Sequence, residues 1–270
     1  MILKGIGILS ALLALISGLL GTVWLIPVYF VGFFAALFLL AVLFCVAVCA
    51  TVDLKKPVEK ENSFYRAVMM PYVELLINLF MVKLETKGLE KTPREGRFLL
   101  VCNHQHLADP GILLHCFPKS QLTFISKKEN RKLPIINKFM HAIRCQFIDR
   151  DNDRKALRGI VECIRMIRAD EVSVGVFPEG YTSRDGKLHH FRPGVFKIAQ
   201  KTGVPIVVCT INGTAPLFHN VIRLKRTPVA LHLVGVIPPE DLVGKTTVEI
   251  AERVYDRMIA DLGEDFRPEL

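Results

Sequence analysis

The sequence predicts an α/β fold: a mostly parallel sheet flanked by helices and preceded by an N-terminal hydrophobic helical hairpin. Three observations carry that expectation. The 48 residues from Gly5 to Val52 contain no Asp, Glu, Lys, Arg or His. From Phe98 onward, short apolar runs alternate with stretches whose apolar residues recur at helical spacing. Polar clusters rich in Asn, Asp, Gly and His follow several of those runs directly, as happens where parallel strands present side chains at their carboxyl ends. The 270 residues divide accordingly into hydrophobic anchoring helices (1–53), an amphipathic linker helix (54–84) and a main domain (85–270).

A single helix over Gly5–Val52 would span roughly 72 Å at about 1.5 Å per residue, more than twice a hydrocarbon core of ~30 Å. Pro27, with Gly32 nearby, is the expected break, giving helices at Ile6–Ile26 and Val31–Val52. A signal peptide would have an apolar core of only ~7–15 residues and a small-residue cleavage site. Membrane attachment is therefore the expectation, through spanning or re-entrant helices. Lys4 precedes the stretch and Lys55, Lys56 and Lys60 follow it. A hairpin puts both flanks on one side, and the basic excess assigns that side, with the main domain, to the cytoplasm.

The chain carries 35 Lys+Arg against 26 Asp+Glu, a formal charge of +9, and every acidic residue lies after Val52. Such a balance suits an anionic membrane surface, an anionic substrate or nucleic acid. Beside an apolar anchor, membrane lipid is the expected partner and nucleic acid is not. The seven cysteines form no C-x-x-C pair and sit mostly in apolar surroundings. That pattern reads as buried free thiols in a reducing compartment, not as a disulfide framework or a zinc site.

After the anchor, Ser63–Leu84 reads as a helix with Phe64, Val68, Leu75, Leu79 and Val82 along one side and Pro71 bending it. It either packs on the main domain or lies in the lipid interface. Lys87–Gly96 is a polar connection. Strands follow at Phe98–Cys102, Leu122–Ser126, Gln146–Ile148, Val172–Phe177, Pro205–Ile211 and Val229–Ile237. Helices fall at Asp109–Phe117, Ile135–Ile143, Arg154–Ala169, Pro193–Lys201 and, capped by Thr246 or Thr247, through Leu262.

The chemistry concentrates in polar segments after strands. Asn103-His104-Gln105-His106-Leu107-Ala108-Asp109-Pro110 places an imidazole and a carboxylate across a turn, the arrangement that orients a general base and stabilises its imidazolium. Ile125–Glu129 and Phe147–Asn152 form a second group, and Val176–Lys187 a third. Gly180 and Gly186 allow tight backbone geometry there, and the basic side chains could meet a phosphate. A base, an anion site and an anchor together point to chemistry on a phosphorylated lipid.

Asn103-His104 with Asp109 resembles the N-H-x-x-x-x-D motif of the lysophosphatidic acid (1-acylglycerol-3-phosphate) acyltransferase family. Phe147-Ile148-Asp149-Arg150, Phe177-Pro178-Glu179-Gly180 and Val204-Pro205-Ile206-Val207 are similar to its later blocks, in family order and spacing across roughly 85–240. The resemblance implies acyl transfer from a coenzyme A or acyl carrier protein thioester to a glycerophospholipid hydroxyl, with no cofactor and no metal. It implies His104 as general base and Asp109 as its orienting partner, with no acyl-enzyme intermediate. Amides at the start of the following helix, Gly111 among them, are candidate oxyanion donors. Arg150, Glu179 and Gly180 would belong to the acceptor phosphate site, Glu179 by bonding a hydroxyl or holding a basic neighbour. The family's third block continues E-G-T-R-S, whereas this chain has Tyr181-Thr182-Ser183 and its next arginine at Arg184. Arg184 is the candidate replacement; otherwise the acceptor is another lysophospholipid or amphipathic alcohol.

Two other classes compete. A metal-dependent lipid hydrolase would use His104, His106, Asp109 and His115, since His-x-His with a nearby carboxylate is metal-ligand chemistry. A non-catalytic lipid binder would use only the basic surface. Taken alone, His104 reads as well as a capping or core histidine, and His189 and His190 as a solvated loop.

Overall fold

The computed structural model describes residues 1–149, 153–183 and 185–268. Two apolar helices, α1 (Ile2–Leu20) and α2 (Ile26–Ala50), form the hairpin. The break falls at Gly21-Thr22, ahead of a 3₁₀ turn at Val23–Leu25, and not at Pro27. Pro27 sits in the first turn of α2, where its missing N–H has no helical acceptor to lose. The side of α1 that meets α2 is built from small residues four apart, Ser10, Ala14 and Gly18. A Cβ on Gly18 would lie 2.3 Å from Ile26 Cγ1, so the two backbones approach as far as glycine permits. Both helices are long and apolar enough to cross a membrane, by length and composition. Their loop end is bare, with Leu19, Leu20 and Trp24 at 78%, 85% and 75% exposure, while Cys45, Val48 and Cys49 at the root are buried.

Helix α3 (Ser63–Leu79) is capped by Asn62, whose Oδ1 accepts the Phe64 N–H at 2.9 Å. It ties the hairpin to the domain: Tyr72 donates to the Ala41 carbonyl at 2.6 Å, and the Thr51 and Tyr65 hydroxyls meet at 3.0 Å. Met69 and Leu75 are buried while Phe64, Leu76 and Leu79 remain exposed, so the helix both packs and keeps an apolar outer face. The predicted helix to Leu84 is too long. Met81 turns into the left-handed region (φ +53) and β1 (Val82–Lys87) begins. The alternation Val82-Lys-Leu-Glu-Thr-Lys87 is that of a half-solvated strand, and its charged side chains guard a sheet edge.

The remaining elements follow in order: β2 (Leu99–Cys102), α4 (Asp109–Cys116), β3 (Leu122–Lys127), α5 (Ile136–Ala142), β4 (Gln146–Ile148), α6 (Asp153–Arg168), β5 (Ser173–Val176), α7 (Lys197–Thr202), β6 (Ile206–Asn212), α8 (Leu217–Ile222), β7 (Thr227–Ile237) and α9 (Thr247–Leu262). A 3₁₀ turn, Pro193–Phe196, takes the start of the predicted Pro193–Lys201 helix, and α8 was not foreseen. Thr246 caps α9 in a reciprocal box with Glu249.

The seven strands lie in the order β1-β7-β6-β2-β5-β3-β4. Every pairing is parallel except β6 with β7, which is antiparallel and shifts register between Val208 and Cys209. One apolar layer packs α6, α7 and α9 on one face; the other joins the hairpin root, α3, α4 and α5 to the opposite face. From central β2 the chain moves to β3 on one side, and from β5 it crosses to β6 on the other. The carboxyl ends of β2 and β5 therefore flank the point where winding reverses, where α/β sheets open a crevice.

Candidate active site

β2 delivers its polar segment at that crevice, and the sheet itself holds the turn. The Asn103 side chain bonds the backbone of Ile211 twice, Nδ2 donating to the carbonyl at 2.8 Å and Oδ1 accepting the N–H at 2.7 Å. Gln105 Oε1 accepts the Gly213 N–H at 3.1 Å. Side chains thus continue the β2–β6 pairing after the backbone has turned away.

His104 Nδ1 lies 2.8 Å from Asp109 Oδ2. The same oxygen accepts the backbone N–H groups of Gln105 at 2.7 Å and His106 at 2.8 Å. Three donors on one carboxylate oxygen, in a residue with no exposed surface, fix the Asp109 side chain in place. Nδ1 is thereby the donor and Nε2 the free acceptor of the ring. The ring stacks on Phe177 at 4.1 Å with a 22° tilt, and its side chain is 15% exposed. Gly111 lies in the first turn of α4, where backbone N–H groups lack helical acceptors.

The loop after β5 closes over the same histidine. The Ser183 N–H donates to the His104 carbonyl at 2.8 Å. Glu179, 1% exposed, accepts the His104 N–H on Oε1 at 3.0 Å and the His189 N–H on Oε2 at 3.1 Å. It thus holds two backbone amides and locks two loops together. Burial pushes its carboxyl up to about 7, against the lowering effect of those two amides. Gly180 has φ +83, and a Cβ there would lie 2.9 Å from Arg192 Nε. The exposed Arg192 guanidinium arm is thus laid across the turn that carries Glu179.

Lys127, at the end of β3, lines a cavity of about 480 Å³ with Tyr181, Thr182, Asp185 and His189. His189 bonds Asp185 at 2.9 Å, and this contact, foremost, holds the Asp185 carboxyl down to about 2. Lys128 instead pairs with Asp149 at 2.8 Å. Arg150 and Arg184, both expected at the acceptor site, lie outside the described residues. His106 turns inward: its Nδ1 accepts the Ala108 N–H at 3.2 Å, its ring meets Phe218 edge-on at 4.7 Å, and burial lowers its pKa. Among the described residues, no three His, Cys, Asp or Glu converge as metal ligands.

Sequence reading missed Phe177 as the stacking partner, Arg192, and the Gln105–Gly213 link. Phe177 heads a segment already singled out, and Arg192 lies only twelve residues beyond Gly180. The long-range partners at 211–213 left no local signal.

Residues 83–212 match the model of the Acyltransferase family. The 1-acyl-sn-glycerol-3-phosphate acyltransferase of Cocos nucifera is 29% identical over 173 residues, covering 64% of this chain and 56% of that protein. The chain thus spans little more than half the length of this relative. The enzyme of the same name from Haemophilus influenzae is 25% identical over 232 residues, covering 84% and 95%. The crystal structure of a 1-acyl-sn-glycerophosphate acyltransferase from Thermotoga maritima shares the fold, with a TM-score of 0.62, 24% identity and coverage of 86% and 95%. The segment that matches the Acyltransferase model, residues 83–212, holds nearly all of β1 and the whole of β2 through β6, and it carries the His104–Asp109 pair.

Proposed function

We propose that the chain is a membrane-associated O-acyltransferase that moves a fatty acyl group from a thioester donor to the free hydroxyl of lysophosphatidic acid, giving phosphatidic acid for phospholipid synthesis. The observation that carries this reading is the His104–Asp109 contact, one oxygen at 2.8 Å from Nδ1 and pinned by two further amides. That geometry leaves Nε2 to act as a base. His104 takes the proton of the acceptor hydroxyl as its oxygen forms a bond to the thioester carbonyl carbon. The tetrahedral intermediate then expels the thiolate, and His104 returns the proton to sulfur. Asp109 stabilises the transient imidazolium. Acid–base assistance of this kind is worth about 10²–10⁴ in rate. The donor is a coenzyme A or acyl carrier protein thioester, and the Gly111 amide is a candidate donor to the intermediate's oxyanion.

For the acceptor phosphate, Lys127 supplies positive charge in the cavity lining and Arg192 beside the Gly180 turn, with Arg150 assigned by resemblance and Arg184 as the candidate replacement. Arg192 is our candidate for the charge that Thr182 does not provide. The basic flanks of the hairpin put the catalytic domain on the cytoplasmic side. Because position 182 is not arginine, another lysophospholipid acceptor is the second reading.

Purified full-length protein offered competing lysophospholipids and labelled acyl thioesters, with products resolved by mass spectrometry, tests the proposal. Labelled phosphatidic acid is expected to dominate. Hydrolysis without transfer to any lysolipid would overturn it. His104→Ala should abolish turnover and leave vesicle binding intact, which separates an enzyme from a lipid binder.

A further inference from the structure

The connection between β6 and β7 supplies no reacting group, but it carries an exposed apolar and basic tip. Leu217 anchors α8 in the core, while Phe218, Ile222 and Leu224 stand 52%, 83% and 81% exposed. Arg223, Lys225 and Arg226 are interleaved with them and exposed as well. The helix closes with the Lys225 N–H on the Asn220 carbonyl at 2.9 Å and the Leu224 N–H on the Val221 carbonyl at 3.0 Å. Leu224 thereby occupies the left-handed position of a Schellman cap, at φ +52. Glycine or asparagine suits that position; a bulky side chain is strained there. Being 81% exposed, the leucine has little packing within this chain to offset the strain.

Location and charge say what covers it. The Phe218 ring meets Phe80, at the end of α3, at 5.3 Å and His106, in the reactive loop, at 4.7 Å. α3 is the helix bonded to the hairpin, and its own exposed Leu76 and Leu79 bring that apolar surface toward Phe80. From Gly186 to Pro239 the chain has no Asp or Glu and seven Lys or Arg.

We infer that Phe218–Arg226 is a second membrane-docking element. Phe218, Ile222 and Leu224 enter the boundary between headgroups and acyl chains, and Arg223, Lys225 and Arg226 rest on anionic headgroups. A second copy of the chain is a poor occupant, because a two-fold contact would press the same three cations against each other with no acidic residue in the segment to pair them. The docked segment holds the reactive loop, through the His106–Phe218 contact, at the depth where a lysolipid hydroxyl lies.

The test uses full-length protein in vesicles of phosphatidylcholine and phosphatidylglycerol, with Trp24→Phe and Ile222→Trp placing a single indole at position 222. On reconstitution its emission should shift to the blue, and lipids brominated near the headgroup end of the acyl chain should quench most of it. Adding Leu224→Gly, or R223Q/K225Q/R226Q together, should cut that quenching by at least about twofold. Thermal stability should be unchanged or raised by Leu224→Gly, which excludes misfolding as the cause. An indole that stays open to acrylamide and unquenched by brominated lipid would overturn the inference. So would shielding that follows protein concentration at fixed lipid, which would assign the patch to a second copy. Neither readout depends on the reaction catalysed.

Discussion

Asp109→Asn probes the site with the least disturbance to the fold. Asp109 Oδ2 receives three donors, whereas Oδ1 is buried without a partner. Asparagine is therefore expected to put its carbonyl oxygen at the Oδ2 position and its NH₂ at the Oδ1 position. One unpartnered buried atom replaces another, and folding should change by no more than about 1 kcal/mol. The His104 tautomer survives because the amide oxygen still accepts from Nδ1. The loss falls on the imidazolium, which no longer faces a negative charge. Charges about 4 Å apart at an effective dielectric constant of about 20 interact by about 4 kcal/mol, the equivalent of about 10³ in rate. The retained hydrogen bond offsets part of this, so kcat should fall about 10²–10³-fold with KM for both substrates nearly constant. Steady-state acyl transfer is measured beside thermal unfolding of the same preparation. A kcat within threefold of the parent's would refute the imidazolium argument. A kcat loss matched by a lost folded fraction would show that Asp109 serves only the fold.

Glu179 carries a pH signature. Its folded-state value of about 7 lies above the ordinary carboxyl value of 4.5, so the native state keeps a proton that the unfolded chain releases. Its contribution is intact below about pH 4.5 and is lost as pH rises through 7, by up to about 3 kcal/mol in order of magnitude. Glu179→Gln should flatten that decline, read as the difference in urea midpoints between pH 5 and pH 7.5; equal declines in parent and variant would count against a buried, proton-retaining carboxyl. Arg192→Gln should raise KM for lysophosphatidic acid about tenfold, the range of one charge-assisted hydrogen bond, and leave KM for the acyl donor alone. An unchanged acceptor KM would remove Arg192 from the phosphate site. Turnover should persist after treatment with a strong chelator; loss of activity restored by added metal would favour the hydrolase class.

The parts legible in sequence were those written locally. The uncharged Gly5–Val52 stretch announced the hairpin, and Phe98–Cys102 followed by Asn103–Asp109 announced a strand that ends in chemistry. Boundaries failed where local preference was overruled. Pro27 reads as a breaker, but a first helical turn tolerates it, and the break went to Gly21. Val82–Lys87 continued a helical pattern on paper and became an edge strand because β7 offered it a parallel partner 145 residues later. The resemblance of Phe177-Pro178-Glu179-Gly180 to a family block points Glu179 toward the acceptor. The partners of Glu179 are backbone amides of His104 and His189, which no side-chain pattern reveals.

The pair of hydrogen bonds from Asn103 to Ile211 has a consequence in time. The reactive turn is completed by residues 108 positions further along the chain. A ribosome releases the hairpin first, then the histidine, and β6 only after most of the domain has emerged. On the function proposed above, the hairpin can find the bilayer while His104 has no fixed orientation, and catalytic competence waits for β6 to seat.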